Sequence, residues 1–179
     1  MTITALSLAT DVHRQRAGEI AELRWDEVGD KQIQLPANRT KNGRAHTIPL
    51  TEPTKIILSR FKRDGRTCVF GRVDTGFNGW HNCKQALNAR IAAAGKSLAE
   101  WKPHDLRRTV ATRMAELGVQ PHIVEAVLNH VSGHKGGVAG IYNRATYDKE
   151  KREALNLWAE HVVATVEGRA ATVVPLKRA

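Results

Sequence analysis

Cysteine is scarce in this chain of 179 residues, where Cys68 and Cys83 are the only two. They form no C-x-x-C pair, and two cysteines are too few for the disulfide framework of a small secreted protein. A reducing compartment fits this usage, so the sequence predicts a cytoplasmic protein.

Long apolar runs are also missing. No uninterrupted apolar stretch approaches the roughly 18 residues of a membrane-spanning helix, and segment 1–9 lacks the positive region that precedes the apolar part of a secretory signal. We therefore expect no membrane partner, and we interpret the start of the chain as part of a helix.

Acidic residues are outnumbered, with 18 aspartates and glutamates against 28 lysines and arginines. The resulting formal charge of +10 and isoelectric point near 10.1 predict a polyanionic partner. A membrane surface would also attract such charge, but the sequence contains no basic amphipathic helix that lacks acids. Nucleic acid is therefore the predicted partner.

The length and the periodicity of apolar residues predict one domain that is mainly helical, of the α+β class. We expect this domain over residues 1–167 and a loose tail over 168–179, with a small three-stranded antiparallel sheet on one edge of the domain. Strands are predicted at 31–35, 45–50 and 68–70, and helices at 5–24, 53–65, 83–94, 104–117, 121–128, 137–142 and 148–166. Asn42-Gly43 predicts a tight turn. The last helix, with Leu155 and Trp158 exposed or docked, is hypothesised to bind a neighbouring protomer.

Side chains suited to phosphate chemistry occur along the chain in this order: Arg16, Lys41, His104, Arg107, His130 and Tyr142. His104 and Arg107 lie in Pro-His-Asp-Leu-Arg-Arg, and their i, i+3 spacing places both on one face of a helix. Arg16 and Arg107 each offer a planar fork that matches phosphate oxygens. The pattern predicts a site that holds and attacks a DNA phosphate.

The remaining side chains suit the proton transfers of such a reaction. A phenol with a pKa of about 10 can both attack phosphorus and leave it, so Tyr142 is the predicted nucleophile. Lys41, beside a turn, is the predicted general acid for the departing DNA oxygen. His104 and His130 would donate hydrogen bonds to the phosphate or help to take the tyrosine proton. This chemistry requires no metal and no nucleotide cofactor.

Plainer interpretations compete with several of these assignments. Arg16 and Glu19 could form a surface pair, and Lys41 could be a solvated turn lysine. Arg39 and Arg44 flank Lys41 and are predicted to contact DNA phosphates.

Two further residues compete with the assigned ones. Tyr147 is a rival nucleophile, although its spacing after His130 favours Tyr142 instead. His130 and His134 could form a metal pair, but Gly133 interrupts any helix between them and no carboxylate lies nearby as a third ligand.

The ordered set resembles the catalytic domain of the tyrosine recombinase, or phage integrase, family. The matching motifs are Arg16 with Glu19 and Leu23-Arg24-Trp25, the hairpin Lys41, the His104 and Arg107 box, Leu128-Asn129-His130, and Tyr142. Three positions depart from the family pattern, since His13 and Arg14 replace a small residue and a glycine, and Asn129 replaces a common glycine.

The resemblance implies a site-specific recombinase that cuts and rejoins double-stranded DNA through a 3'-phosphotyrosine intermediate, as integration or excision of a mobile element requires. It also implies a synapse of four protomers in a bacterial or phage-infected cell, and an N-terminal core-binding domain that we do not expect within this sequence. Two alternatives stay open: relaxation of supercoiled DNA in the manner of a type IB topoisomerase, and a non-catalytic DNA-binding module of the same fold.

Overall fold

The computed structural model describes residues 17–71, 74–130 and 145–170. The helices of this part of the chain are α1 (Ala17–Ala21), α2 (Glu52–Leu58), α3 (Trp80–Ala93), α4 (Pro103–Glu116), α5 (Pro121–Val127) and α6 (Asp148–Glu167). Strands β1 (Gln32–Leu35) and β2 (His46–Pro49) form the sheet, and short 3-10 turns occupy Trp25–Glu27 and Ala37–Arg39. The helix predicted at 137–142, most of the helix predicted at 5–24 and most of the tail lie outside the described residues.

The sheet is an antiparallel pair in which Ile33 faces Ile48 and Leu35 faces His46. Ile33 and Leu35 are buried while Gln34 between them is exposed, as strand alternation requires. The turn predicted at Asn42-Gly43 lies between the two strands, and Gly43 has a φ of 66°.

The prediction of a third strand is wrong, because the sheet in the described part of the chain has only two strands. Segment 68–70 instead makes a single antiparallel bridge, between Cys68 and Arg24. Backbone hydrogen bonds flank this bridge, from Val69 N to Leu23 O at 2.8 Å and from Trp25 N to Thr67 O at 3.0 Å. The ladder extends no further because the backbone enters a 3-10 turn at Trp25.

The hydrophobic core lies between the sheet and the helices α4, α5 and α6. Its largest fully buried side chains include Phe70, Leu23, Ile33, Leu35, Ile48, Met114 and Leu155. Leu155 and Trp158 are only 1% and 5% exposed. Both side chains are therefore core residues of their own chain, and the binding of a neighbouring protomer by the last helix stays a prediction. No helix within the described ranges has the length and apolar character needed to cross a membrane.

The glycine-rich loop before α3 packs closely against α1. A Cβ atom at Gly76 would lie 2.7 Å from the carbonyl oxygen of Ala21 and 2.9 Å from the Cα atom of Glu22. The amide of Phe77, the next residue, donates to the same Ala21 oxygen at 2.8 Å. Only a residue without a side chain allows this approach, so Gly76 fixes the loop to the end of α1.

A buried lysine ties α6 to the sheet. The Nζ atom of Lys151 donates to the carbonyl oxygen of Thr47 at 2.9 Å and pairs with Oδ1 of Asp148 at 2.8 Å. Replacing Lys151 with alanine removes both interactions and leaves the Thr47 carbonyl without this donor. We expect Lys151→Ala to lower the free energy of unfolding by about 2 kcal/mol, measured by urea denaturation. The exposed neighbour Lys149 is the matched control, and an equal loss in Lys149→Ala would contradict this assignment.

The same pair predicts a pH dependence. The hydrogen bond from Lys151 lowers the pKa of Asp148 below its ordinary value, although partial burial opposes this effect. Because the folded state favours the carboxylate, the stabilisation is complete above the unfolded pKa of about 3.9 and is lost as the pH falls through the lower folded pKa. The stability difference between wild type and Asp148→Asn, measured by urea denaturation across this range, should therefore shrink in acid. A difference that stays constant with pH would contradict the pairing.

Candidate functional site

A cavity of about 740 Å³ opens between α1, the Lys41 turn, the start of α4 and the end of α5. Its lining includes four of the six predicted residues, namely Lys41, His104, Arg107 and His130. Arg16 and Tyr142 lie outside the described residues, but Ala17, which directly follows Arg16 in sequence, also lines the cavity. Segments far apart in the chain therefore meet at this cavity.

The first turn of α4 positions His104 and Arg107. Pro103 begins the helix, where its missing amide hydrogen has no helical partner to lose. The Asp105 carboxylate accepts a hydrogen bond from the Lys102 amide at 2.8 Å and caps this end. His104 is exposed and Arg107 is half-buried one turn later, and both line the cavity as the i, i+3 spacing predicted.

Arg107 is held against the end of α5. Its Nη2 atom donates to the carbonyl oxygen of Leu128, at the C-terminal end of that helix. A carbonyl at a helix C-terminus carries excess negative charge, so it is a favourable partner for a guanidinium. This contact fixes the position of the Arg107 guanidinium in the cavity wall.

The end of α5 sets the position of His130. The His130 amide donates to the Glu125 carbonyl at 2.9 Å and the Asn129 amide to the Ala126 carbonyl at 3.3 Å. These two bonds form a Schellman motif, in which the residue after the C-cap adopts a left-handed conformation. Asn129 occupies that position with a φ of 49°. Asparagine tolerates this conformation better than other residues with side chains, which explains how it can replace a glycine here.

The turn that carries Lys41 is fixed by its backbone, while the Lys41 side chain is exposed. The Lys41 amide donates to Oε1 of Glu19 at 3.0 Å, and Glu19 is only 6% exposed. The Thr40 hydroxyl donates to the carbonyl oxygen of Arg44 at 2.7 Å and so closes the turn. A buried carboxylate of α1 thus places the predicted general acid.

Arg39 has protein partners that the sequence did not reveal. Its Nε atom donates to Glu27 Oε1 at 2.9 Å, and its Nη1 and Nη2 atoms donate to the Glu22 carboxylate at 2.8 Å and the Glu22 carbonyl at 2.7 Å. Burial lowers the pKa of Arg39, but hydrogen bonds and attraction from Glu27 and Glu22 outweigh it and hold the pKa above its ordinary value. The guanidinium therefore braces the cavity wall, and its contact with DNA stays a prediction.

The other predicted phosphate contact, Arg44, is exposed beside the turn. Its amide donates to Oδ1 of Asn42 at 3.1 Å. Its contact with DNA also stays a prediction.

The rival nucleophile, Tyr147, packs against a histidine of α5. Tyr147 is half-buried at the start of α6, and its ring lies 5.2 Å from the His122 ring, measured between centroids. It does not belong to the described residues that line the cavity.

The alternative metal pair includes His134, which lies outside the described residues. Among the residues that the structure does describe, no group of three His, Cys, Asp or Glu is placed to hold a metal ion.

The site thus combines a guanidinium, an exposed lysine and two histidines around a cavity of molecular size. Such groups can donate hydrogen bonds to phosphate oxygens from several directions. Glu19 and Glu22 also line the cavity, and their described contacts are with the Lys41 amide and with Arg39. Glu19 and Glu22 therefore hold the Lys41 turn and Arg39 beside a place where an anion can bind.

This chain belongs to the phage integrase family, whose sequence profile, described as "Phage integrase family", matches residues 3–149. It is similar to the prophage integrase IntA of Escherichia coli K12, with 35% identity over 158 residues that cover 86% of this chain and 37% of that protein. It is also similar to the tyrosine recombinase XerD of Pseudomonas putida, with 28% identity over 64% of this chain and 41% of that protein.

The fold has a counterpart among solved structures. An integrase from mycobacterium phage Brujita superposes with a TM-score of 0.63 at 20% identity, over 87% of this chain and 50% of that one. The predicted helical fold with a small antiparallel sheet is thereby confirmed, except for the third strand. The chain spans well under half the length of the curated relatives named above.

Proposed function

We propose that this chain is the catalytic part of a site-specific DNA recombinase that cuts and rejoins DNA strands through a 3'-phosphotyrosine intermediate. The observation that carries the proposal is the convergence of Lys41, His104, Arg107 and His130 on one cavity in a member of the phage integrase family. Relatives named integrase and tyrosine recombinase support the same activity.

The proposed reaction uses all six side chains. The Tyr142 oxygen attacks the scissile phosphorus as its proton passes to His104 or His130, the bond from phosphorus to the 5' oxygen breaks, and the departing oxygen takes a proton from Lys41. Arg16 and Arg107 stabilise the negative charge that builds up on the non-bridging oxygens. His104 and His130 donate hydrogen bonds to the same phosphate or help to take the tyrosine proton. Rejoining runs these steps in reverse with a new 5' hydroxyl.

The lysine suits its role because of how it is presented. Its backbone is fixed by Glu19 while its side chain is exposed at the cavity, so the ammonium group can reach a bound strand. The acid has to lie within hydrogen-bond reach of the leaving oxygen, and a fixed turn restricts where it can be.

The proposal extends to partners and organisation. Double-stranded DNA is the substrate, with Arg39 and Arg44 as additional phosphate contacts, and the formal charge of +10 supports a polyanion. Residues 1–167 form the catalytic domain and 168–179 a tail, and four protomers assemble on DNA in the cytoplasm. No metal or nucleotide cofactor takes part in the proposed reaction.

Covalent capture on DNA of randomised sequence tests this function and selects the target site in the same experiment. Nicked suicide duplexes with a randomised centre are incubated with the chain in EDTA, and DNA linked to protein is recovered under denaturing conditions and sequenced. We expect an adduct in which protein is joined to a 3' phosphate, enriched for one family of sequences. Absence of any adduct, while the chain still binds duplex DNA, would favour the non-catalytic module. An adduct without sequence enrichment would favour the topoisomerase-like activity.

A further inference from the structure

The end of α5 connects three parts of the molecule. Its last carbonyl groups each accept a hydrogen bond from a side chain of a different segment. These pairs are Val127 with His46 Nε2 at 3.2 Å, Leu128 with Arg107 Nη2, and Asn129 with Asn42 Nδ2 at 2.8 Å. Helix-end carbonyls have no intrahelical partner, so they are available for such contacts.

The asparagine contact is reciprocal. While Asn42 Nδ2 donates to the Asn129 carbonyl, Asn129 Nδ2 donates to Asn42 Oδ1 at 3.3 Å and approaches the Arg44 carbonyl at 3.5 Å. The two asparagines are 87 positions apart in sequence. Each is the immediate neighbour of a predicted catalytic residue, since Lys41 precedes Asn42 and His130 follows Asn129.

The side chain of Asn129 makes a contact that a glycine at this position would lack. The left-handed backbone at the end of α5 suits glycine at least as well. Glycine would preserve the Schellman motif but could not donate to the Lys41 turn. Asn129 therefore adds a side-chain link that the helix end does not itself require.

We propose that Asn42 and Asn129 are positioning residues that fix the Lys41 turn against the α5 end, and so set the distance between the general acid and the phosphate held by Arg107 and His130. This inference rests on the proposed function. It assigns to the pair an effect on proton donation, because a displacement of about 1 Å in a catalytic group can cost about 10²-fold in rate.

Cleavage of DNA with sulfur at the leaving position distinguishes a residue that assists proton donation from one needed for folding or DNA binding. When sulfur replaces the 5' oxygen of the scissile bond, the leaving group is a thiolate that departs without a general acid, since thiols are far more acidic than alcohols. A residue that acts only by placing the acid should matter for normal DNA and not for sulfur-containing DNA. A residue needed for folding or DNA binding should matter equally for both.

The test measures single-turnover cleavage of both DNAs by wild type, Asn129→Gly, Asn42→Ala and the double variant. We expect each single variant to cleave normal DNA about tenfold more slowly and sulfur DNA at nearly the wild-type rate. The double variant should be little slower than Asn42→Ala, because Asn42→Ala already removes both contacts of the pair, whereas Asn129→Gly keeps the backbone carbonyl that accepts from Asn42. Lys41→Ala serves as the reference for complete loss of the acid.

Two outcomes would contradict the inference, and they distinguish failure of the positioning role from failure of the proposed function. If both DNAs are slowed equally in Asn129→Gly and in Asn42→Ala, or neither is slowed, the pair does not position the acid. If wild type cleaves neither DNA, the proposed function itself fails, and the positioning role fails with it. Asn42→Ala keeps the test informative should Asn129→Gly fail to fold, because Asn42 lies outside any helix.

Discussion

Replacing Tyr142 with phenylalanine is expected to abolish the covalent adduct between protein and DNA. Phenylalanine keeps the ring and removes only the oxygen that would attack phosphorus, so DNA binding should persist while cleavage falls below detection. The measurement is adduct formation on a captured suicide duplex, separated on a denaturing gel, together with the affinity for the same duplex.

Tyr147→Phe is the matched control. The Tyr147 ring packs beside His122 at the start of α6, and it is not among the described residues that line the cavity. We expect this variant to form adduct at nearly the wild-type rate. An adduct that survives in Tyr142→Phe and disappears in Tyr147→Phe would show that Tyr147, and not Tyr142, is the nucleophile.

The second large effect is expected at Arg107. Replacing it with alanine removes a preorganised cation from the cavity wall, where the proposed reaction requires charge on the phosphate oxygens to be stabilised. We expect single-turnover cleavage to slow by about 10³-fold, or about 4 kcal/mol in the transition state. Arg107→Lys should recover only part of this loss, because an ammonium keeps the charge but not the planar fork.

Arg108 provides the control on the same helix. Its side chain is 74% exposed and pairs with Asp105 at 3.5 Å. An exposed pair of this kind contributes little, so Arg108→Ala should retain the fold and most of the cleavage rate. Urea denaturation of all three variants checks that stability is similar. Normal cleavage by a folded Arg107→Ala protein would exclude Arg107 from the phosphate clamp.

The parts of the site that the sequence predicted well depend on local signals. Helix α4 begins at a proline with an aspartate two residues later, and its spacing places His104 and Arg107 together. The Asn42-Gly43 turn likewise follows from residue types that favour tight turns. Such features are encoded within a few residues, so a single sequence is enough to predict them.

The parts that the sequence did not predict depend on contacts between distant segments. Arg39 reaches Glu22 and Glu27 across 17 and 12 positions, and no local pattern distinguishes it from an exposed arginine that contacts DNA. The prediction of a third strand was wrong for a related reason. Its composition suits a strand, but pairing stops where the neighbouring backbone turns at Trp25.

The close approach at Gly76 has a consequence for altering this protein. A methyl group there would collide with the backbone of α1, the helix that carries Glu19, and Glu19 in turn holds the amide of Lys41. A substitution at Gly76 is therefore expected to shift the predicted proton donor, Lys41, by steric pressure alone. Attempts to alter the protein should therefore leave position 76 unchanged.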